Sequence, residues 1–294
     1  MVLLLSTHET LEMDQRVGEL RGAHALGEAR NGHEHPAEPI LDPSCKKVLF
    51  GIPLKGHTPP ASYHDRMLMW KYLGDRECSE FYEKKSPRYS FMLACLGELM
   101  VAYARERFAE TALECGADYL FMVDDDMLCP PDLFYRLVAH DKDIIAPLAF
   151  TRNPDHKPVI YDVIEGFDPV THQSYGKTKF AMNYPRNQLV ECDAVGFGAV
   201  LIKTEVIKKI IGTGNTCFFG MDRTGEDVAF CTKARKLGFS VWMDTSIKLG
   251  HLGAPVVITE DYADKWLGMS LEEREKFYGQ YTRYPSMEMA SVTR

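Results

Sequence analysis

The chain has 294 residues, is 45% hydrophobic and 26% charged, and carries a formal net charge of -8. That balance is ordinary for a globular protein and long enough for one large domain or two small ones, while the acidic excess argues against general nucleic-acid binding, which needs a basic surface. No apolar run reaches the roughly 18 residues that span a bilayer, and the apolar start Met1-Val2-Leu3-Leu4-Leu5 is too short for a signal-peptide core, so a cytoplasmic protein without a membrane anchor is expected.

Residues 1–45 are polar, carry His8, His24, His33 and His35, and lack sustained periodicity. They read as a flexible N-terminal extension with one short helix near 9–22. The stretch Asn31 to Pro36 is either a metal tract or a loop of exposed histidines. The folded domain is expected over 46–265, with a C-terminal helical extension over 266–294. Lys46 to Pro53 is a short apolar strand that ends in Gly and Pro, suited to the first strand of an α/β domain. Residues 54–88, rich in Gly, Pro, His and Tyr, read as a long connection, and long loops in compact domains often carry function. From 91 to 115 the apolar spacing predicts a helix, stopped by Gly116. A strand over 119–123, a helix over 131–140 and a strand over 144–148 complete a βαβαβ alternation, which implies a mainly parallel sheet.

A more β-like portion follows. Strands are expected at 159–161, 189–192 and 199–202, with a loose Gly-, Pro- and Thr-rich region between the first two. Helices are expected at 204–211 and 226–237, the second ended by Gly238, and a strand at 239–243. Ser270-Leu271-Glu272-Glu273 has the spacing of a capping box and predicts a last helix. The eight cysteines form no Cys-x-x-Cys pair, so zinc knuckles and redox motifs are not expected, and these thiols read as small core residues. Lys203, Lys208 and Lys209 form a basic cluster whose helical setting reads as a solvated face.

The chemistry concentrates where Tyr119-Leu120-Phe121-Met122-Val123 runs into Asp124-Asp125-Asp126. An unbroken apolar run suits a strand buried on both faces. Three carboxylates at its end need a cation, a donor network or water, because burying them unpaired costs several kcal/mol each. The C-terminal ends of strands in open α/β sheets are where ligands bind, so this end suits a divalent metal that holds a phosphate. An acidic turn before Pro130-Pro131 is the alternative.

Three later pieces stand in order after it: Asp193-Ala194-Val195-Gly196-Phe197-Gly198, Gly225-Glu226-Asp227, and Gly250-His251. Together the four resemble the GT-A class of nucleotide-sugar-dependent glycosyltransferases, family-two-like and of the Asp-x-Asp type, over residues 46–255. The resemblance implies a Rossmann-like mixed sheet, mainly parallel, with helices on both faces. It implies Mn²⁺ or Mg²⁺ held by Asp126, with Asp124 near the ribose or metal, Asp125 touching ribose, and His251 as the downstream ligand. Arg105 resembles the Arg that opens the helix before Asp-x-Asp, where Arg-Asn is common; here Glu106 replaces the Asn. Pro53 matches the bend around the nucleotide base. Asp193, Gly196 and Gly198 match the segment under the donor sugar and acceptor. For an inverting enzyme the resemblance implies that Asp227 is the base that takes the acceptor proton and Glu226 binds the acceptor; for a retaining one, both bind sugar instead, and the sequence leaves the choice open.

Each assignment has a plainer alternative: a satisfied loop histidine, a surface arginine, a strand stop, a structural turn, and carboxylates favoured by a helix dipole. The implied donor is a UDP- or GDP-linked sugar, with hexosyl transfer to a hydroxyl. The acceptor is open among saccharides, small metabolites, proteins and, because compact stand-alone transferases of this kind occur in bacteriophages as well as bacteria, a modified DNA base. Two other functions are compatible with the sequence. A nucleotidyltransferase would carry a Gly-rich, basic phosphate loop after the first strand, of which Gly51-Ile52-Pro53-Leu54-Lys55-Gly56 is a poor version. A non-catalytic sugar-nucleotide or carbohydrate-binding protein would not need Asp124, Asp126, Asp227 and His251 together.

Overall fold

Strand β1 (Lys46–Leu54) has uncharged residues at every position after its second, and it becomes a central strand rather than an edge. In this computed structural model, which describes residues 44–54, 60–84, 86–97, 99–153, 155–168, 173–219, 225–253, 257–270 and 272–274, it pairs in parallel with β2 (Tyr89–Gly97) and with β3 (Tyr119–Val123). β10 (Ala199–Lys203) runs antiparallel to β3 and to β5 (Ile144–Leu148). β11 (Val241–Lys248) is parallel to β5, and β8 (Leu189–Cys192) closes the far edge antiparallel to β11. The order is β2-β1-β3-β10-β5-β11-β8, with β10 and β8 opposed to the other five. This is the mixed, mainly parallel α/β sheet expected from the sequence.

Alternation along the strands builds two cores. Leu49, Leu120, Met122, Ile144, Val200 and Ile202 face helices α2 (Val101–Glu114), α4 (Thr204–Gly212) and α5 (Glu226–Lys236). Val48, Phe50, Phe121, Val123, Ile145 and Leu201 face α1 (Pro60–Lys84) and α3 (Leu133–Val138). A sheet covered on both faces needs apolar residues at consecutive positions, which is why β3 and β5 read as continuous runs. α2 ends where Gly116 takes φ +64°, a conformation that costs a side-chain-bearing residue energy.

The structure differs from the sequence reading in the region before α2. Residues 60–84 form a 25-residue helix, not a loop, and Tyr89–Gly97 is the edge strand β2, not the start of a helix. Met92, Cys95 and Leu99 happen to follow helical spacing, but the β1 ladder pairs Tyr89 to Gly97 residue by residue, and pairing outweighs local pattern. The region between 161 and 189 contains a hairpin, β6 (Ile160–Asp168) with β7 (Gln173–Phe180), which pairs with β9 (Ala194–Val195). β4 (Met127–Leu128), β12 (Gly250–Leu252) and β13 (Val257–Ile258) form a small second sheet at the strand ends. The boundary expected at 265 falls inside α6 (Glu260–Gly268), whose Trp266 is buried against His156. Ser270 and Glu273 exchange the two hydrogen bonds of the expected capping box. The expected helix near 9–22 and the histidine tract at 31–36 lie outside the described residues. Among the described residues no helix is long and apolar enough to cross a membrane.

Candidate active site

β3 delivers Val123 buried and Asp124 to a cavity of about 520 Å³ at the C-terminal ends of β1 and β3. The chain is held there by backbone. Asp124 N–H donates to the Gly198 carbonyl at 2.8 Å, and Leu252 N–H donates to the Asp126 carbonyl at 2.9 Å. Pro53, Arg105, Asp124, Asp125, Asp126, Gly196, Gly198, Glu226, Asp227 and His251 all line this one cavity. They come from six separate stretches of sequence. A Cβ on Gly196 would come within 2.7 Å of the Val159 Cβ, so the backbone beside the cavity passes where only glycine fits.

Asp193 does not join them. Its carboxylate accepts the Val163 N–H at 2.8 Å and pairs with Arg235 at 2.7 Å, so it ties β6 to α5 and does not line this cavity.

Arg105 organises the floor. It is 3% exposed. Nη2 donates to both oxygens of Asp124 at 2.8 and 3.0 Å and to the Phe197 carbonyl at 3.0 Å, while Nη1 donates to Glu226. One guanidinium therefore joins the acid at the end of β3 to the acid at the start of α5. A planar fork suits this role because its donors diverge at fixed angles. Arg105 thus reaches two protein carboxylates and a carbonyl. The carboxyl of Asp124 is pushed up to about 6: burial is the main cause, opposed by Arg105 and reinforced by the neighbouring Asp126.

Asp126 and His251 form the second group. The β4–β12 ladder sets His251 opposite Met127, beside Asp126. His251 Nδ1 lies 2.7 Å from the Phe150 carbonyl, which only accepts, so Nδ1 carries a proton and the lone pair falls to Nε2 when the ring is neutral. Nε2 faces Asp126 Oδ1 at 3.5 Å. Two electron-pair donors turned towards each other suit a shared cation, and a histidine oriented through its other nitrogen is how metal-ligating imidazoles are held. Arg152 supplies a cation at Asp126 Oδ2, 2.9 Å away. With the ring protonated instead, Nε2 donates to Asp126, and that hydrogen bond and charge, with Arg152, outweigh the burial that would raise the Asp126 carboxyl and hold it below its ordinary value. Asp126 and His251 could hold a divalent ion as two protein ligands. The expectation that Asp124 also ligates meets a different geometry, since both of its oxygens accept from Arg105. Among the described residues no three metal-ligating side chains converge.

Glu226 and Asp227 open α5 and line the same cavity. Gly225 caps the helix without a side chain, and Asp227 Oδ1 accepts the Val228 N–H at 2.7 Å. Burial raises the Asp227 carboxyl, opposed by Arg105 and reinforced by Glu226.

Three supporting residues had escaped the sequence reading. Arg66, 6% exposed on α1, donates to the carbonyls of Asp124 and Asp125 at 3.1 Å each, and Ser62 donates to the Asp125 carbonyl at 2.6 Å. Residues 54–88 carry no helical periodicity that would aim Ser62 and Arg66 at the acidic turn. Arg152 carried a usable signal: it follows β5, a strand whose C-terminal end points to the same edge as β3.

Among solved structures, the fold is similar to A197 from STIV, with a TM-score of 0.48 and 18% identity over 74% of this chain and 91% of that one. It is similar to GalNAc-T7 solved with UDP, GalNAc and Mn²⁺, with a TM-score of 0.41 and 12% identity over 72% of this chain and 45% of that one. It is also similar to apo UDP-glucose pyrophosphorylase, with a TM-score of 0.38 and 9% identity over 80% of this chain and 99% of that one. No family model matches the chain, and no curated protein does.

Proposed function

We propose that the protein is a metal-dependent glycosyltransferase of the GT-A class that moves a sugar from a UDP- or GDP-linked donor to an acceptor hydroxyl. The observation that carries this reading is one cavity walled by two acidic groups with different surroundings. One is Asp126 with His251, and the other is Glu226 with Asp227 at the start of α5. The first group would hold Mn²⁺ or Mg²⁺, which when bound neutralises charge on a diphosphate leaving group. Five carboxylates line the cavity, so a nucleoside diphosphate needs such a counter-charge to enter. Pro53, Leu54, Leu99, Met100 and Val101 give the cavity an apolar wall at the β1 end, suited to a base.

In a direct displacement, the acceptor oxygen bonds to the anomeric carbon as that carbon's bond to the phosphate oxygen breaks. Asp227 takes the acceptor's proton. Its raised carboxyl makes it a stronger base than an exposed aspartate, and it must be ionised to act. Glu226, fixed through one oxygen by Arg105, keeps the other for an acceptor hydroxyl. Asp193, placed outside the cavity, has no part in this scheme.

The test is a melting-temperature screen of nucleoside diphosphates and nucleotide sugars with and without Mn²⁺. A ligand that binds only the folded state raises the melting temperature by mass action. A Mn²⁺-dependent rise with one nucleotide, lost in Asp126→Ala while the unliganded melting temperature stays within a few degrees, is expected. Mn²⁺-independent nucleotide binding, or an Asp126→Ala protein that keeps the response, would remove the metal assignment. Synthesis of a nucleotide sugar from a nucleoside triphosphate and a sugar phosphate would assign the cavity to nucleotidyl transfer instead.

A further inference from the structure

Glu106, next to Arg105 on α2, is buried at 8% exposure and takes no part in the chemistry above. Its two oxygens accept the backbone N–H groups of Cys217 at 2.8 Å and Phe218 at 2.7 Å. From the other side, Lys233 of α5 gives its ammonium to the carbonyls of Thr216 at 2.7 Å, Cys217 at 3.3 Å and Phe219. The Phe218 ring stacks on Phe230 of α5 at 4.9 Å. Residues 216–219 are therefore bonded through their donors to α2 and through their acceptors to α5. A buried carboxylate is costly unless each oxygen finds a donor, and here both do.

The consequence is mechanical. α5 is tied to α2 directly through Arg105 and Glu226 at its first turn, and again through the 216–219 backbone, about one turn along at Phe230 and two at Lys233. Core packing of Val228, Phe230 and Cys231 and the Arg235–Asp193 pair already anchor α5, and the 216–219 bridge adds a constraint on its rotation on the side that faces α2. Adjacent residues on a helix point about 100° apart, so rotation decides whether Asp227 and Glu226 both reach the cavity.

We propose that Glu106 and Lys233 are positioning residues, which act through the backbone of 216–219 to set the rotation of α5 and so aim Asp227 and Glu226 into the cavity. The proposal rests on Asp227 being the base of the transfer reaction. It also gives a reason for the departure from Arg-Asn at 105–106: here the second residue is an acid because two backbone N–H groups need an acceptor.

The experiment follows the Asp227 carboxyl by ¹³C NMR titration in the full chain without ligand, in Glu106→Gln and in Lys233→Met. Glu106→Gln replaces an oxygen with an NH₂ group that opposes a backbone donor; Lys233→Met removes the ammonium and keeps the stem. In either variant the Asp227 titration is expected to fall towards the ordinary carboxylate range as the side chain turns out to water. Turnover of the nucleotide sugar found in the melting screen, measured as donor hydrolysis, is expected to fall about 100-fold, the size of effect a remote misplacement produces, with donor Kd unchanged. Lys233→Met carries the test by itself should Glu106→Gln not fold. An unmoved Asp227 titration in a folded variant overturns the proposal. Because that titration needs no nucleotide, a moved Asp227 in a protein that neither binds nor turns over any nucleotide sugar overturns only the transfer reading.

Discussion

Asp124 and Asp244 are both aspartates in sheltered surroundings with a basic partner, and their carboxyls move in opposite directions. Asp124, in the cavity floor, is pushed up to about 6. Asp244, on β11, is held below its ordinary value: burial would raise it, but Ser246 and His140 outweigh that. Asp244 accepts from three separate donors, the Ser246 N–H at 2.8 Å, the Ser246 hydroxyl at 2.6 Å and His140 at 2.8 Å. Asp124 accepts from a single nitrogen of Arg105, a cation it shares with Glu226, and it stands beside Asp126. Structural aspartates are saturated with donors. A carboxylate left short of donors and near like charge keeps unspent capacity for a ligand, which is how sites with perturbed acids arise.

The strongest way to break this contrast is Arg105→Met. It leaves Asp124 and Glu226 without their shared cation in a sheltered site, and loss of one partner from such a group costs about 3–5 kcal/mol. Urea unfolding is expected to show a loss of that order, largest above pH 6, where Asp124 is ionised. A loss under about 1 kcal/mol would mean that solvent already satisfies both acids.

Next in size is Asp227→Asn, which removes the base and is expected to lower turnover about 10²–10⁴-fold with donor affinity intact. In the unmodified protein turnover should decline as pH falls through the raised Asp227 value, and this acidic limb should vanish in the variant. Weakened donor binding with normal turnover would make Asp227 a substrate ligand.

The two aspartates themselves give a smaller and more specific effect. Asp124 binds its proton more tightly in the folded state, so its contribution to stability is present below the unfolded value near 3.9 and is lost as pH rises through about 6. Asp244 binds its proton less tightly when folded, so its contribution is present above that unfolded value and is lost as pH falls through its lower folded value. Melting temperature against pH should therefore lose its fall between pH 4 and pH 6 in Asp124→Asn, and its drop below about pH 4 in Asp244→Asn. Identical profiles for the two variants would dissolve the contrast. The smallest effect belongs to a pair open to water. Lys46 and Asp118 lie 2.9 Å apart at the opposite edge of the sheet, and Lys46→Ala should cost less than about 1 kcal/mol in chemical denaturation.

Much of the fold was legible because β3, β5, β10 and α4 carry their period in their own residues. The unread part was α1 and β2. α1 opens with Pro60, Tyr63 and His64 and leaves Tyr63, Met67, Leu68, Phe81 and Tyr82 exposed, so its apolar residues do not confine themselves to one stripe. β2 is an edge strand whose state is decided by β1.

For the candidate site, the acids and His251 were readable as local motifs, because carboxylates at the end of an apolar strand or the start of a helix are conspicuous wherever the chain goes. Local sequence thus determined which side chains could do chemistry and which strand ended in them. It could not determine what stands opposite. Arg105 with Glu226, Asp126 with Arg152 and His251, Arg66 with the Asp124 and Asp125 carbonyls, and Asp193 with Arg235 are pairings between residues 26 to 125 positions apart. Only the sheet order and the packing of α1, α2 and α5 against it brought them together, because charge and hydrogen bonding act over a few ångströms of space and are blind to distance along the chain.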